Sequence, residues 1–220
     1  MSVHNLYYFA IPGKAEMIRV ALHVSGLTWE NHIVNGESWK TMKAGLVDKL
    51  PQANIPLLEI DGQYLTESLA ILRYVGTMGG MVPEAPVEQM AMDEGLNMSN
   101  DIFSCFAPTF GISDPAERLA ARQALCAADG QLYKIMQKFD SVVATFNGGY
   151  MAGNMLTVGD LCWFATFGLI SCGMIDGFPP TYLDQFPNIS NYRKFIGTNP
   201  KVASRYANET EGLLFNGFKF

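Results

Sequence analysis

The sequence predicts an α+β N-terminal domain built on a mixed four-stranded sheet, followed by an all-α C-terminal domain. Three observations support this prediction. Apolar runs and helical patterns follow the order β-α-β-α-β-β-α up to residue 80. The turn dipeptide Asp61-Gly62 separates two short apolar runs, as expected of a hairpin. From residue 87 to 206 the apolar spacing is helical, with breaks at prolines and no convincing alternating strand.

The first four elements are predicted to form a β-α-β unit and a short second helix. Residues 5–9 are a short apolar run, and Pro12-Gly13 marks the turn that follows it. A helical pattern then places Ala15, Ile18 and Leu22 on one face. Residues 29–34 look like a second strand and residues 37–46 like a short helix.

A hairpin and a helix complete the predicted N-terminal domain. Residues 57–60 and 63–66 flank Asp61-Gly62, which matches a two-residue type I′ turn, so these strands should pair antiparallel. Residues 67–78 have nearly helical apolar spacing before Gly79-Gly80 ends the pattern. We therefore place the first domain at residues 1–80, a linker at 81–86 and the helical domain at 87–220.

One helix start in the second domain is marked clearly. Thr157-Val158-Gly159-Asp160 resembles a capping box, with Leu156 and Leu161 at the positions of a hydrophobic staple. Residues 161–175 are the most apolar segment, but they are too few for a membrane span and follow an aspartate. We interpret this segment as a buried core helix.

Composition disfavours several classes of function. The chain has 220 residues, 49% of them hydrophobic, and a net charge of -6. An acidic chain without a cluster of Lys and Arg does not attract nucleic acid or anionic lipid. The N-terminus lacks the pattern of a secretory signal, so we expect a cytoplasmic protein that binds neither nucleic acid nor membrane.

The cysteines and histidines do not suggest a metal site. The four cysteines lie far apart among apolar neighbours and form no C-x-x-C pair, which favours free buried thiols. The three histidines lack nearby ligand-type residues and are interpreted as surface or packing side chains. We therefore expect no metal.

Five segments together resemble the cytosolic glutathione transferase family. They are LYYFAIPGKAEMIR at 6–19, ESWKTMK at 37–43, NIPLLEIDG at 54–62, LTESLAILRYV at 65–75 and LTVGDL at 156–161. The resemblance is greatest to the sigma-type branch, which is close to the alpha, mu and pi groups. It implies a thioredoxin-like first domain that binds glutathione as co-substrate, a helical domain that carries an electrophile pocket, and a homodimer.

The resemblance assigns the central role to Tyr8. In the family, the tyrosine directly before the phenylalanine at the end of the first strand holds the glutathione sulfur as a thiolate. Strand alternation sends Tyr7 to the opposite face, where we expect it to pack. Without the companion motifs, Tyr8 would be interpreted as a half-buried strand aromatic with no chemical role.

The resemblance also implies where glutathione lies along the first domain. Trp39 and Lys43 are four apart, so in a helix they share a face and can bind the glycyl carboxylate. Pro56 corresponds to the family's cis-proline, which exposes the N–H and C=O of Ile55 to the cysteinyl part. The alternatives are a packing Trp beside a solvated Lys, and a trans loop proline.

The other implied glutathione contacts include two departures from the family pattern. Glu67, where the family more often has Gln, and Ser68 begin a helix whose N-terminus can receive the γ-glutamyl carboxylate; ordinary capping is the alternative. Lys14 stands where the family usually has Arg. Asn54 is a further contact, and Asp101 is implied to reach the glutathione of the partner subunit.

We expect the electrophile pocket between three segments: the turn Ile11-Pro12-Gly13, the helix that carries Phe106 and Phe110, and the tail with Phe215, Phe218 and Phe220. Such aromatics are more often core residues. The resemblance implies conjugation of glutathione to apolar electrophiles. Glutathione-dependent isomerisation or peroxide reduction at the same site, and a non-catalytic binding or structural role, remain the alternatives.

Overall fold

A mixed four-stranded sheet forms the N-terminal half of the molecule. The computed structural model describes residues 2–207 and 218. Its sheet has the order β2-β1-β3-β4, with β1 parallel to β2 and antiparallel to β3, and with β3 antiparallel to β4. The strands are β1 (His4–Tyr8), β2 (Trp29–Ile33), β3 (Leu57–Ile60) and β4 (Gln63–Leu65).

Three helices pack with this sheet, so the predicted element order is confirmed. They are α1 (Glu16–Ser25), α2 (Gly36–Leu46) and α3 (Ser68–Met78). A 3₁₀ turn at Gly13–Ala15 precedes α1. Asp61 and Gly62 between β3 and β4 have φ angles of 50° and 80°. Two positive φ angles are the requirement of a type I′ turn, which Gly meets without steric cost.

Beyond α3, every regular element of the described residues is helical. The helices are α4 (Pro86–Phe106), α5 (Pro115–Cys126), α6 (Gln131–Ala144), α7 (Val158–Ser171), α8 (Pro187–Gly197) and α9 (Pro200–Ala207), with 3₁₀ turns at Ala107–Gly111 and Tyr182–Gln185. The predicted fold class, a thioredoxin-like domain followed by an all-α domain, is therefore confirmed.

Helix α7 lies at the centre of the molecule. All of its residues are buried, and it contacts α1 from the first half as well as α4 and α8 from the second. Burial on every side explains why this segment has no polar face, and the predicted core helix is confirmed. None of the helices in residues 2–207 is both long and apolar enough to cross a membrane.

Cysteine burial differs in part from the prediction. All four cysteines are free; Cys105 and Cys162 are buried, whereas Cys126 and Cys172 are only half-buried. Cys126 ends α5 and Cys172 follows α7, and helix ends expose side chains that the helix middle would cover. In the part of the chain that the structure describes, no three potential metal ligands lie together.

Candidate functional site

Tyr8 ends β1 with its hydroxyl against the turn that follows. Its side chain is 9% exposed. The backbone N–H of Lys14 donates a hydrogen bond to Tyr8 Oη over 3.2 Å. Because the phenolic oxygen accepts this bond, its own proton stays available for a second partner. The geometry thus leaves the Tyr8 hydroxyl able to donate one hydrogen bond.

Tyr7 and Tyr8 lie on opposite faces of the sheet, as predicted. Along β1, His4, Leu6 and Tyr8 are buried while the residues between them are half-buried. Tyr7 stacks on the ring of His32 in β2, with the centroids 4.6 Å apart. Tyr7 is therefore a packing residue on the face away from the Tyr8 hydroxyl.

Burial keeps the Tyr8 hydroxyl protonated. Burial raises the pKa of Tyr8, and the Lys14 N–H together with the charge of Arg19 opposes that shift. The Arg19 guanidinium lies 5.7 Å from the centroid of the Tyr8 ring. A phenol whose pKa is raised above 10 is neutral at physiological pH, so Tyr8 can donate a hydrogen bond to an anion.

Arg19 and Gly13 shape the backbone around Tyr8. Arg19 is buried and donates to the carbonyl oxygens of Phe9 and Ile11, over 3.2 and 2.8 Å, which fixes the loop after β1. Gly13 has a φ of +44°, and a Cβ there would lie 2.6 Å from Tyr8 Oη. Only glycine lets this turn close over the hydroxyl.

A cavity of about 300 Å³ opens beside Tyr8. Its walls come from the turn after β1, from the end of α4 and the 3₁₀ turn that follows, and from α7 and the loop after it. The lining is mostly apolar, with Lys14 as its only cation among the described residues: Tyr8, Ile11, Gly13, Lys14, Phe103, Ser104, Phe106, Ala107, Phe110, Leu169, Met174 and Ile175.

The structure brings four of the predicted pocket residues together and places Pro12 and Phe218 elsewhere. Ile11, Gly13, Phe106 and Phe110 line the cavity, although Phe110 belongs to the 3₁₀ turn and not to the helix that carries Phe106. Pro12 is buried at the start of the turn and is not part of the lining.

Phe218 of the C-terminal tail, which was predicted to line the pocket, lies in the core of the helical domain. Phe218 is 1% exposed and packs against Phe164 and Tyr206, so it belongs to the helical core and not to the cavity. An apolar ring such as that of Phe218 gains more from full burial than from lining an open cleft. Phe215 and Phe220 lie outside the described residues.

Sequence reasoning missed the wall made by Phe103, Leu169, Met174 and Ile175. For Phe103 a signal existed, because it lies three residues before Phe106 and so shares its helix face. Leu169, Met174 and Ile175 lie in the apolar segment that the sequence assigns to the core. Only tertiary contact shows that one end of that segment borders a cavity.

Arg122 of α5 ties two walls of the cavity together. Its Nε donates to Thr109 Oγ1 over 3.0 Å, and its guanidinium also pairs with the Asp176 carboxylate. It lies 4.9 Å from the centroid of the Phe110 ring. Phe110 lies in one wall, and Asp176 follows Ile175 in the other. The nearly buried arginine therefore fixes the distance between them.

The segment before β3 carries the predicted cis-proline. The Ile55–Pro56 peptide bond is cis. The N–H of Ile55 donates to the Asn54 side chain, Oδ1, over 3.0 Å, and the Asn54 carbonyl accepts from Thr66 Oγ1 over 3.1 Å. The Asn54 side chain thus accepts the hydrogen bond from the Ile55 N–H that was predicted to bind glutathione. The Asn54 side chain is exposed.

The start of α3 has an unusual backbone. Glu67 has a φ of 70° and a ψ of 106°, and no side chain caps the helix. A non-glycine residue in this region stores strain of about 1 to 3 kcal/mol, which proteins tolerate mainly at functional sites. Ser68 is buried at the first position of α3. The uncapped N-terminus suits an anion.

Trp39 and Lys43 share a face of α2, as their spacing predicts. Trp39 packs with Ile55 and Tyr7 on a small buried cluster around Leu57, and Lys43 is exposed. This packing brings α2 beside the Ile55–Pro56 segment. Asp101 is exposed on α4, in a shallow groove with Met90, Asp93 and Asn97.

Comparison with known proteins identifies the family. The family model described as glutathione S-transferase, N-terminal domain, matches residues 4–77. The model of the glutathione S-transferase C-terminal domain matches residues 100–209. The chain belongs to the glutathione S-transferase family. The matched ranges include Tyr8, the cis-proline segment and the start of α3 in the first domain, and most of the cavity walls in the second.

Similar proteins cover nearly the whole of this glutathione S-transferase. Glutathione S-transferase 1 of Ascaris suum is 26% identical over 92% of this chain and 99% of its own. The hematopoietic prostaglandin D synthase of Homo sapiens is 29% identical over 93% of this chain and 95% of its own. The solved prostaglandin synthase D of Nilaparvata lugens is 23% identical, covers 94% of this chain and 98% of its own, and superposes with a TM-score of 0.80.

Replacing Arg122 by methionine should weaken the binding of a substrate that occupies the cavity beside Tyr8. The loss of its bonds to Thr109 and Asp176 should cost about 1 to 3 kcal/mol of folding free energy and let the two walls separate. We expect the KM for such a substrate to rise a few-fold while the KM for glutathione is unchanged. Steady-state kinetics with each substrate varied in turn checks this. Gln123→Met, exposed on the same helix, is the control, and equal changes in both KM values would contradict the assigned role.

Proposed function

We propose that this chain conjugates the glutathione thiolate to apolar electrophiles. One observation carries the proposal: the Tyr8 hydroxyl accepts from Lys14 N–H, keeps its own proton free, and borders the apolar cavity. Membership of the glutathione S-transferase family supports it. The thiolate sulfur bonds to the electrophilic carbon, and the leaving group departs with its electron pair.

In this mechanism Tyr8 donates a hydrogen bond to the glutathione sulfur. The thiol proton leaves to solvent, and the hydrogen bond stabilises the remaining anion. The cavity holds the electrophile against the sulfur, which turns a bimolecular encounter into a reaction within one complex. Tyr8 is then the catalytic residue, and Ile11, Gly13, Phe106 and Phe110 position the second substrate.

We place glutathione along residues 1–80, across α2, the cis-proline segment and the start of α3. The glycyl carboxylate lies near Trp39 and Lys43, and the γ-glutamyl carboxylate at the N-terminus of α3, by Glu67 and Ser68. The cysteinyl part pairs with the backbone of Ile55 once Asn54 turns away. A backbone N–H that is hydrogen-bonded to an exposed side chain exchanges one acceptor for another at small cost.

Removing the Lys43 ammonium should raise the KM for glutathione. An exposed ion pair contributes about 0.2 to 1 kcal/mol, so Lys43→Met should raise this KM by up to about fivefold and leave the KM for the electrophile unchanged. Kinetics with varied glutathione measures the change, and added salt should shrink it. Lys40→Met on the same helix is the matched control. A salt-independent loss would argue against an ion pair.

We further propose that the chain forms a homodimer. Helix α4 carries the exposed apolar side chains Val87 and Met90, and α3 ends with exposed Met78. Burying them against a second copy would bring Asp101 near the glutathione of the partner subunit. We propose that residues 81–86 form the linker between the two domains and that residues 87–220 form the domain that carries the pocket.

Turnover of 1-chloro-2,4-dinitrobenzene with glutathione tests the proposed activity, and no turnover by the native chain would refute it. A second candidate, glutathione-dependent isomerisation, draws support from the relatives named prostaglandin D synthase. It uses the same thiolate and cavity, and returns glutathione unchanged. Product analysis separates the two, because only conjugation consumes glutathione.

A further inference from the structure

Lys14 stands out in the cavity beside Tyr8. The other described residues that line this cavity carry no charge at neutral pH, and eight of them are apolar side chains of Ile, Phe, Ala, Leu or Met. None of the described carboxylates lies within 4.0 Å of the Lys14 ammonium. Its Nζ lies 5.2 Å from the centroid of the Phe103 ring on α4. The ammonium therefore faces the helical wall of the cavity.

The two carboxylates of glutathione have other partners in the proposed complex. The glycyl carboxylate lies by Lys43 on α2, and the γ-glutamyl carboxylate by the uncapped start of α3. Lys14 belongs to the turn before α1, and its contact with Phe103 directs it to the second-substrate side. A cation over an aromatic face is held weakly, and a carboxylate would bind it more strongly.

We propose that the second substrate is an apolar molecule that carries a carboxylate, with Lys14 as the residue that selects it. The apolar body fills the cavity between Phe103, Phe106 and Leu169, and the carboxylate pairs with the Lys14 ammonium. This inference rests on the proposed function. The flexible lysine stem lets the ammonium follow substrates of different length, which the planar fork of an arginine would restrict.

A matched pair of electrophiles tests the charge alone. The probes are 4-chloro-3-nitrobenzoate and 4-chloro-3-nitrobenzamide, which share the ring and the chloride leaving group. In both reactions the sulfur bonds to the ring carbon, and chloride leaves with the electron pair of the broken bond. The measured quantity is the ratio of kcat/KM for the benzoate to kcat/KM for the benzamide.

The expected result is a tenfold loss of this preference in Lys14→Met, which corresponds to about 1.4 kcal/mol. Lys14→Arg should retain most of it. Lys134→Met, which removes an exposed charge on α6, should leave the ratio unchanged. Equal losses on both electrophiles would overturn the proposal and assign the ammonium to glutathione. An unchanged ratio in Lys14→Met would overturn it as well.

A second measurement does not depend on turnover: isothermal calorimetry gives the dissociation constants of the two product conjugates. Both conjugates contain the same glutathione moiety, so only the carboxylate and the amide differ. Lys14→Met should weaken the carboxylate conjugate about tenfold and leave the amide conjugate unaffected. If native turnover is absent while this difference appears, the proposed activity fails and the charge selection stands. Equal effects on both conjugates would refute the charge selection.

Discussion

Tyr8→Phe should bind glutathione with a thiol pKa about 2 units higher than in the native chain, a difference of about 2.7 kcal/mol. The reason is the loss of the one hydroxyl donor that borders the cavity at the end of β1. The substitution also removes the oxygen that accepts the hydrogen bond from Lys14 N–H. The turn at Gly13 should keep its backbone conformation and pack against the phenylalanine ring. Folding should be nearly unaffected.

The rate should respond less than the ionisation. A thiol with a pKa near 8.5 is a few per cent ionised at pH 7, and a shift of about 2 units changes the ionised fraction roughly twentyfold. A more basic thiolate is also more nucleophilic. With a Brønsted slope of about 0.5, each ionised thiol in the variant reacts about tenfold faster, which offsets part of the loss. We therefore expect a loss of only a few-fold at pH 7. Above about pH 9 both thiols are ionised, so the loss should reverse to a gain of up to about tenfold from the more nucleophilic variant thiolate.

Ultraviolet titration of the bound thiolate and the pH profile of kcat/KM measure the two quantities. Tyr7→Phe is the matched control, because Tyr7 lies on the opposite face against His32 and should leave the thiol pKa unchanged. A thiol pKa that does not move in Tyr8→Phe would exclude Tyr8 as the sulfur's donor. A loss of rate that persists at high pH would instead indicate that the hydroxyl acts on the electrophile.

The fold was predictable wherever its determinants are local. Asp61-Gly62 specifies its turn through two positive φ angles, and Thr157 with Asp160 specifies the start of α7 within four residues. Strand alternation separated Tyr7 from Tyr8. Each of these signals depends on the geometry of a few neighbouring residues, so no tertiary information was needed.

The site was less predictable, because its walls meet only in the folded molecule. The position of the Lys14 ammonium over Phe103 depends on a contact between segments almost ninety residues apart. The bond between Asn54 and the Ile55 N–H depends on a rotamer that sequence does not specify. Phe218 is a core residue because α7 and α9 leave room for its ring.

The loss of Asp160 should destabilise the fold strongly. Asp160 is fully buried, and its carboxylate accepts from Met151 N–H and Tyr192 Oη–H over 2.8 and 2.6 Å. It also accepts from the N–H and the hydroxyl of Thr157, over 2.7 and 2.6 Å. Burial raises the pKa of Asp160, and these four bonds oppose that shift. One carboxylate thus joins the start of α7 to α8 and to the preceding loop.

Asp160→Ala should therefore cost about 3 to 5 kcal/mol of unfolding free energy, well above the ~1 kcal/mol of an ordinary helix cap. The excess arises because the buried Met151 N–H and Tyr192 hydroxyl are left without an acceptor. Asp114→Ala is the natural comparison, since Asp114 caps α5 at the surface through Ala116 and Glu117 N–H. Urea unfolding at one fixed protein concentration gives both values. Equal losses would show that Asp160 serves only as a cap, and that α8 does not depend on it.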